Sequence, residues 1–89
     1  RAGKLKSGDF TCEKLMKQKK VQLMLLDSGV SANTREKYEA MCSAAEIDCL
    51  YIEDLGRLIG KDAHKTAAVT DRHFAGIIRE AYQATEQAN

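Results

Sequence analysis

The chain has 89 residues, 44% hydrophobic and 30% charged, which suits one small domain with an ordinary core. Its formal charge of +1 hides a segregation: residues 1–20 carry +5 and residues 21–89 carry −4. No apolar run approaches the roughly 20 residues of a membrane span, Arg1-Ala2-Gly3-Lys4 holds no apolar signal region, and three cysteines without a C-x-x-C pair argue against a disulfide framework or a zinc site.

In chain order, Ser7-Gly8 precedes a segment whose Cys12, Leu15, Met16 and Lys19 share one face of an amphipathic helix. Val21–Leu26 is a nearly continuous apolar run and reads as a strand buried on both faces, broken by Asp27-Ser28-Gly29. A second helix starts at Asn33-x-x-Glu36, with Ser31 as a competing cap, and places Tyr38, Met41, Cys42 and Ala45 on one face. Cys49–Ile52 is a second strand. Glu53-Asp54 opens a short helix with Leu55, Leu58 and Ile59 on its apolar side, and Gly60 supplies its left-handed stop.

Residues 61–65 form a polar loop, and Thr66–Thr70 is a strand of small residues that lets neighbouring layers approach. Thr70 or Asp71 caps a last helix whose inner face is Phe74, Ile77, Ile78, Ala81 and Tyr82, and the tail from Gln83 to Asn89 frays. The alternation specifies an α/β fold: a three-layer α/β/α sandwich around a mixed, mostly parallel sheet of about four strands. Residues 1–89 form a single domain, and the abrupt start suggests that a helix ahead of residue 1 is missing.

The basic end is where a ligand is expected. Glycine at a helix start leaves backbone N–H groups open to a phosphate, and lysines around it favour a polyanion. With Phe10 at zero on a helical wheel, Lys14 falls near 40° and Lys17 near 340°, opposite the apolar face. Phe10 on that basic face either stacks on an unpaired base or folds back into the protein. The lysines either meet phosphates or simply solvate an outer face. Asp9 favours the helix dipole but repels an anion at the same place.

No catalytic constellation is visible: Asp27-Ser28 has no triad geometry, and Gly56-x-x-x-Gly60 lacks the Lys-Ser/Thr of a phosphate-binding loop. The cysteines read as small buried apolar groups suited to a reducing cytoplasm. No cofactor, metal, small-molecule substrate or membrane is implied.

Four stretches carry a family resemblance: Arg1-Ala2-Gly3-Lys4-Leu5-x-Ser7-Gly8, Ser31-x-Asn33-Thr34, Leu55-Gly56-Arg57-x-x-Gly60-Lys61 and Ala67-x-Val69-Thr70-Asp71-x-x-Phe74. Together they resemble the ribosomal-protein superfamily that binds kink-turn RNA, the archaeal L-seven-Ae and eukaryotic L-thirty-e type, nearest to its small bacterial YlxQ-like members. The resemblance implies a non-catalytic, cytoplasmic, bacterial protein that binds structured, ribosomal RNA, with ribosome-associated proteins as further partners.

It places RNA at the start of the Ser7-Gly8 helix, helped by the loop after Gly60. The family's Gly-x-Asn-Glu-x-x-Lys pattern matches here at Gly8 and Lys14, while Phe10 and Thr11 stand at the Asn and Glu positions. Neither side chain reproduces the hydrogen bonding of the residues it replaces. In the later loop Ala63-His64-Lys65 replaces apolar residues. The implied RNA set is therefore Lys4, Lys6, Ser7, Gly8, Phe10, Thr11, Lys14, Lys17, His64 and Lys65. The alternative is a protein-interaction module on the same fold that has lost kink-turn recognition.

Overall fold

The computed structural model describes residues 3–88. Eight elements follow one another: β1 (Leu5–Ser7), α1 (Asp9–Lys17), β2 (Leu23–Asp27), α2 (Ala32–Ala45), β3 (Asp48–Ile52), α3 (Leu55–Leu58), β4 (Thr66–Val69) and α4 (Arg72–Ala88). The strands form one mixed sheet in the order β1-β4-β2-β3. The expected helix ahead of residue 1 lies outside the described residues.

Adjacent residues of the central strands face opposite layers, as strand geometry requires. Met24, Leu26 and Ala68 pack with Cys12, Met16, Tyr38 and Cys42 beneath α1 and α2. Leu23, Leu25, Ala67 and Val69 pack with Leu55, Ala75, Phe74 and Ile78 beneath α3 and α4. The three layers are therefore present, and the sheet is buried on both faces.

The strand directions correct the expected parallel majority. Only β2 and β3 run parallel; β4 is antiparallel to both β2 and β1. The reason is the length of α3. Its four residues rise about 6 Å, too little to carry the chain back along the sheet, so Thr66 enters beside the end of β2, where Asp27 N donates to Lys65 O. The strand β1, absent from the element-by-element reading, has one apolar residue, Leu5, and pairs only with β4 at the sheet edge.

Local signals divide in the same way. Ser31, not Asn33, caps α2: its hydroxyl accepts from Thr34 N at 3.2 Å. Asp71, not Thr70, caps α4 through Phe74 N at 2.7 Å, while the Thr70 hydroxyl donates to Gly3 O. Gly60 is left-handed, as expected for a stop. Ala45 is exposed rather than buried, as is Leu58, at 74%. In α4 the packed stripe is Phe74, Ala75 and Ile78 with half-buried Tyr82; Ile77 and Ala81 are exposed. The tail is helical through Ala88, because helix-favouring Ala, Glu and Gln follow Gly76 with no breaker.

Candidate nucleic-acid interface

β1 delivers the chain to the start of α1, where Gly8 is the N-cap at φ 101°, ψ 144°. Only glycine takes that conformation without strain. Gly8 N donates to Thr66 O at 3.0 Å, and no side chain caps the first turn. The His64 ring lies against Gly8: a Cβ there would stand 3.5 Å from its Cε1. Ser7 Oγ holds the same ring, 2.7 Å from Nδ1. The α3–β4 loop is thus pinned to the helix start.

A groove of about 470 Å3 opens at this place, bounded by Gly8, Asp9, Val30, Ser31, His64 and Lys65. A smaller polar groove of about 330 Å3 lies across His64, between Asp27, Asp54, Arg57 and Asp62. One buried carboxylate organises both. Asp27 Oδ1 accepts from Leu55 N and Oδ2 from Gly29 N, each at 2.8 Å, and Lys65 Nζ stands 3.8 Å away. The two backbone donors, aided by Lys65, hold its carboxyl below the usual range. Asp27 so caps α3 from another element; Asp54, the α3 N-cap residue, makes no cap bond of its own. Gly56 packs under the same loop, where a Cβ would lie 2.6–2.8 Å from three backbone oxygens of Lys61, Asp62 and His64.

The expected site residues fall into two groups. Ser7, Gly8, His64 and Lys65 converge at the helix start, and Phe10 and Thr11 occupy its first turn. Phe10 is 81% exposed, so it does not fold back into the core. Lys14 and Lys17 follow along α1 in its last turn. Lys4 lies at the other end of β1, where its carbonyl accepts from Thr70 N; Lys6 faces Ala68 across the β1–β4 ladder. Lys19 and Lys20 close α1 at that far end too, with Lys19 in the left-handed conformation. A nine-residue helix is about 14 Å long, so the cations line the molecule rather than gather at one point.

What they share is freedom from acids. None of Lys4, Lys6, Lys14, Lys17, Lys19 and Lys20 forms an ion pair among the described residues. The two acids of this end are occupied by α2: Lys37 binds Glu13 and lies 3.5 Å from Asp9 Oδ2, and the Tyr38 hydroxyl donates to Asp9. Sequence reasoning missed Asp27, Gly56, Lys37 and Tyr38 as organisers. Only Asp27 carried a signal, since Asp-x-Gly is a turn signature in which the side chain accepts from the amide two residues on.

The cysteine reading holds for Cys12 and Cys42, which are buried; Cys49 is half-buried, and its hydrogen bond with Cys42 holds its thiol below the usual range. Cys12 is fully buried beneath α1, and burial pushes its thiol up to about 11, which leaves it an unreactive apolar group. The Ser7–His64 pair has no carboxylate bonded to the ring among the described residues. It has the geometry of a tether and lacks the third member of a triad.

The chain is similar to known proteins over most of its length. Residues 1–78 match the model of the "Ribosomal protein L7Ae/L30e/S12e/Gadd45 family". The chain is 36% identical over 78 residues to the RNA-binding protein YlxQ of Bacillus subtilis (strain 168), covering 84% of this chain and 78% of that protein. A solved structure of a protein with unknown function from Bacillus halodurans superposes with a TM-score of 0.82 at 26% identity, over 90% of this chain and 84% of that one. The matched stretch includes every element up to the first half of α4, and the chain belongs to the L7Ae/L30e/S12e/Gadd45 family of ribosomal proteins.

Proposed function

We propose that this protein is a non-catalytic RNA-binding protein of the bacterial cytoplasm, which takes structured, ribosomal RNA of the kink-turn kind at the start of α1. The observation that carries the reading is the uncapped first turn of α1 with Phe10 projecting from it. Open amides there receive a phosphate, and the exposed ring stacks on an unpaired base. Lys65 supplies a phosphate contact at the groove; Lys14 and Lys17 on α1, with Lys4 and Lys6 on the β1 side, extend the contacts along the molecule. His64 and Ser7 shape the groove wall. The family match and the name of the Bacillus subtilis relative support RNA as the ligand.

Phe10 and Thr11 replace hydrogen-bonding side chains, so the base contacts differ from those of the family and rest on stacking. The same exposed Phe10 favours one other reading, an aromatic anchor for a partner protein. Ultraviolet crosslinking in cells, followed by sequencing of the attached nucleic acid, decides between them. The RNA reading expects enriched ribosomal RNA, with crosslinked peptides mapping to residues 8–17 and 63–65. A nuclease-resistant protein complex without enriched RNA would support the partner-protein reading instead.

A further inference from the structure

We propose that Tyr38 and Lys37 are positioning residues for the α1 terminus: they hold the Asp9 carboxylate against α2, so that the first-turn amides stay open to an RNA phosphate. The inference rests on the RNA-binding reading above and adds two residues that never touch the groove. A carboxylate in the first helical turn ordinarily interacts with its own helix end and opposes any anion there. Here α2 holds it by two groups, although Asp9 still borders the groove. Asp9 Oδ1 accepts from the Tyr38 hydroxyl, which also reaches Asp9 O at 3.1 Å. Asp9 Oδ2 stands 3.5 Å from Lys37 Nζ. No backbone amide donates to this carboxylate among the described residues.

The holding groups are firmly placed. The Tyr38 side chain is 0% exposed in the core between α1, α2 and the sheet. Burial and the adjacent Asp9 push its hydroxyl well above the usual range, so it stays a donor. Lys37 is partly exposed; it bridges Asp9 and Glu13 and lies 5.3 Å from the Tyr38 ring centroid. Its contact with Glu13, foremost, raises its affinity for the proton, so it stays cationic. One lysine and one phenol thus occupy both acids that α1 carries.

The groove is more than a bare helix end. The groove beside Gly8 is also lined by Thr66, whose buried hydroxyl oxygen makes no well-formed hydrogen bond among the described residues and has the Cys12 thiol as neighbour. Lys65 lines the same groove. A phosphate oxygen would find amides there, beside the Lys65 ammonium that stands 3.8 Å from Asp27.

The test uses nitrogen-labelled protein titrated with inorganic phosphate, read at the amides of Phe10 and Thr11 by NMR, and with a ribosomal RNA fragment in parallel. Tyr38→Phe keeps the ring in the core, and Lys37→Met alters an exposed side chain, so both variants retain the fold. Each is expected to bind phosphate about two- to fivefold more weakly, the scale of one charge at a helix end. Adding Asp9→Asn to either variant is expected to restore the binding. Unchanged phosphate binding in both variants, or no rescue by Asp9→Asn, would overturn the proposal. If the phosphate order holds while no protein binds RNA, the positioning role stands and the RNA reading fails.

Discussion

Phe10 separates recognition from stability. Its ring is 81% exposed, so Phe10→Ala is expected to leave the melting temperature unchanged within error. The same change should weaken RNA binding about 5- to 150-fold, the equivalent of about 1–3 kcal/mol for one stacked base; fluorescence anisotropy and thermal melts on the same sample check both. Gly56 is the opposite case. A Cβ at 2.6–2.8 Å from three backbone oxygens must push the α3–β4 loop outward. Gly56→Ala is expected to cost about 1–3 kcal/mol by urea unfolding. Because that loop carries His64 and Lys65, RNA affinity should fall with stability.

At the level of elements, Asp27 ties β2, the start of α3 and the α3–β4 loop together. Its carboxyl is held below the usual range in the folded state. The ionised form therefore contributes stability above its unfolded value of about 3.9, and that contribution is lost as pH falls through the folded value. Asp27→Asn is expected to be less stable at neutral pH and to flatten the acid limb of the stability curve, which melts between pH 7 and pH 2 would show. Much of this layer was legible. Val21–Leu26 and Thr66–Thr70 announced buried strands by nearly unbroken apolar or small residues, although the first strand begins only at Leu23. Gly8 and Gly60 marked a helix start and a helix end. What was not legible depends on partners distant in the chain: the strand sense set by a one-turn α3, the edge strand at Leu5–Ser7, and an acid at residue 9 met by residues 37 and 38.

At the scale of the whole molecule, the basic end is a line rather than a point. The chain rises along β1 to Gly8 and returns down α1, so Lys4, Lys17, Lys19 and Lys20 lie at the far end from the groove. The charge count in residues 1–20 was plain in the sequence, but its spread was not, because the turn-back at Gly8 decides it. The distribution predicts unequal roles. Replacing Lys14 with Gln should reduce the salt dependence of RNA binding by about 0.7–0.9 in log–log slope, one phosphate contact. Replacing both Lys19 and Lys20 with Gln should leave the slope nearly unchanged.

The central claim is that the start of α1, with its uncapped first turn and projecting Phe10, receives RNA. An anisotropy titration of the protein against labelled ribosomal RNA fragments at low and high salt tests it most directly. The account predicts binding at micromolar protein that weakens steeply as salt rises and falls further with Phe10→Ala. Absence of salt-sensitive binding to any folded fragment at micromolar protein would contradict it.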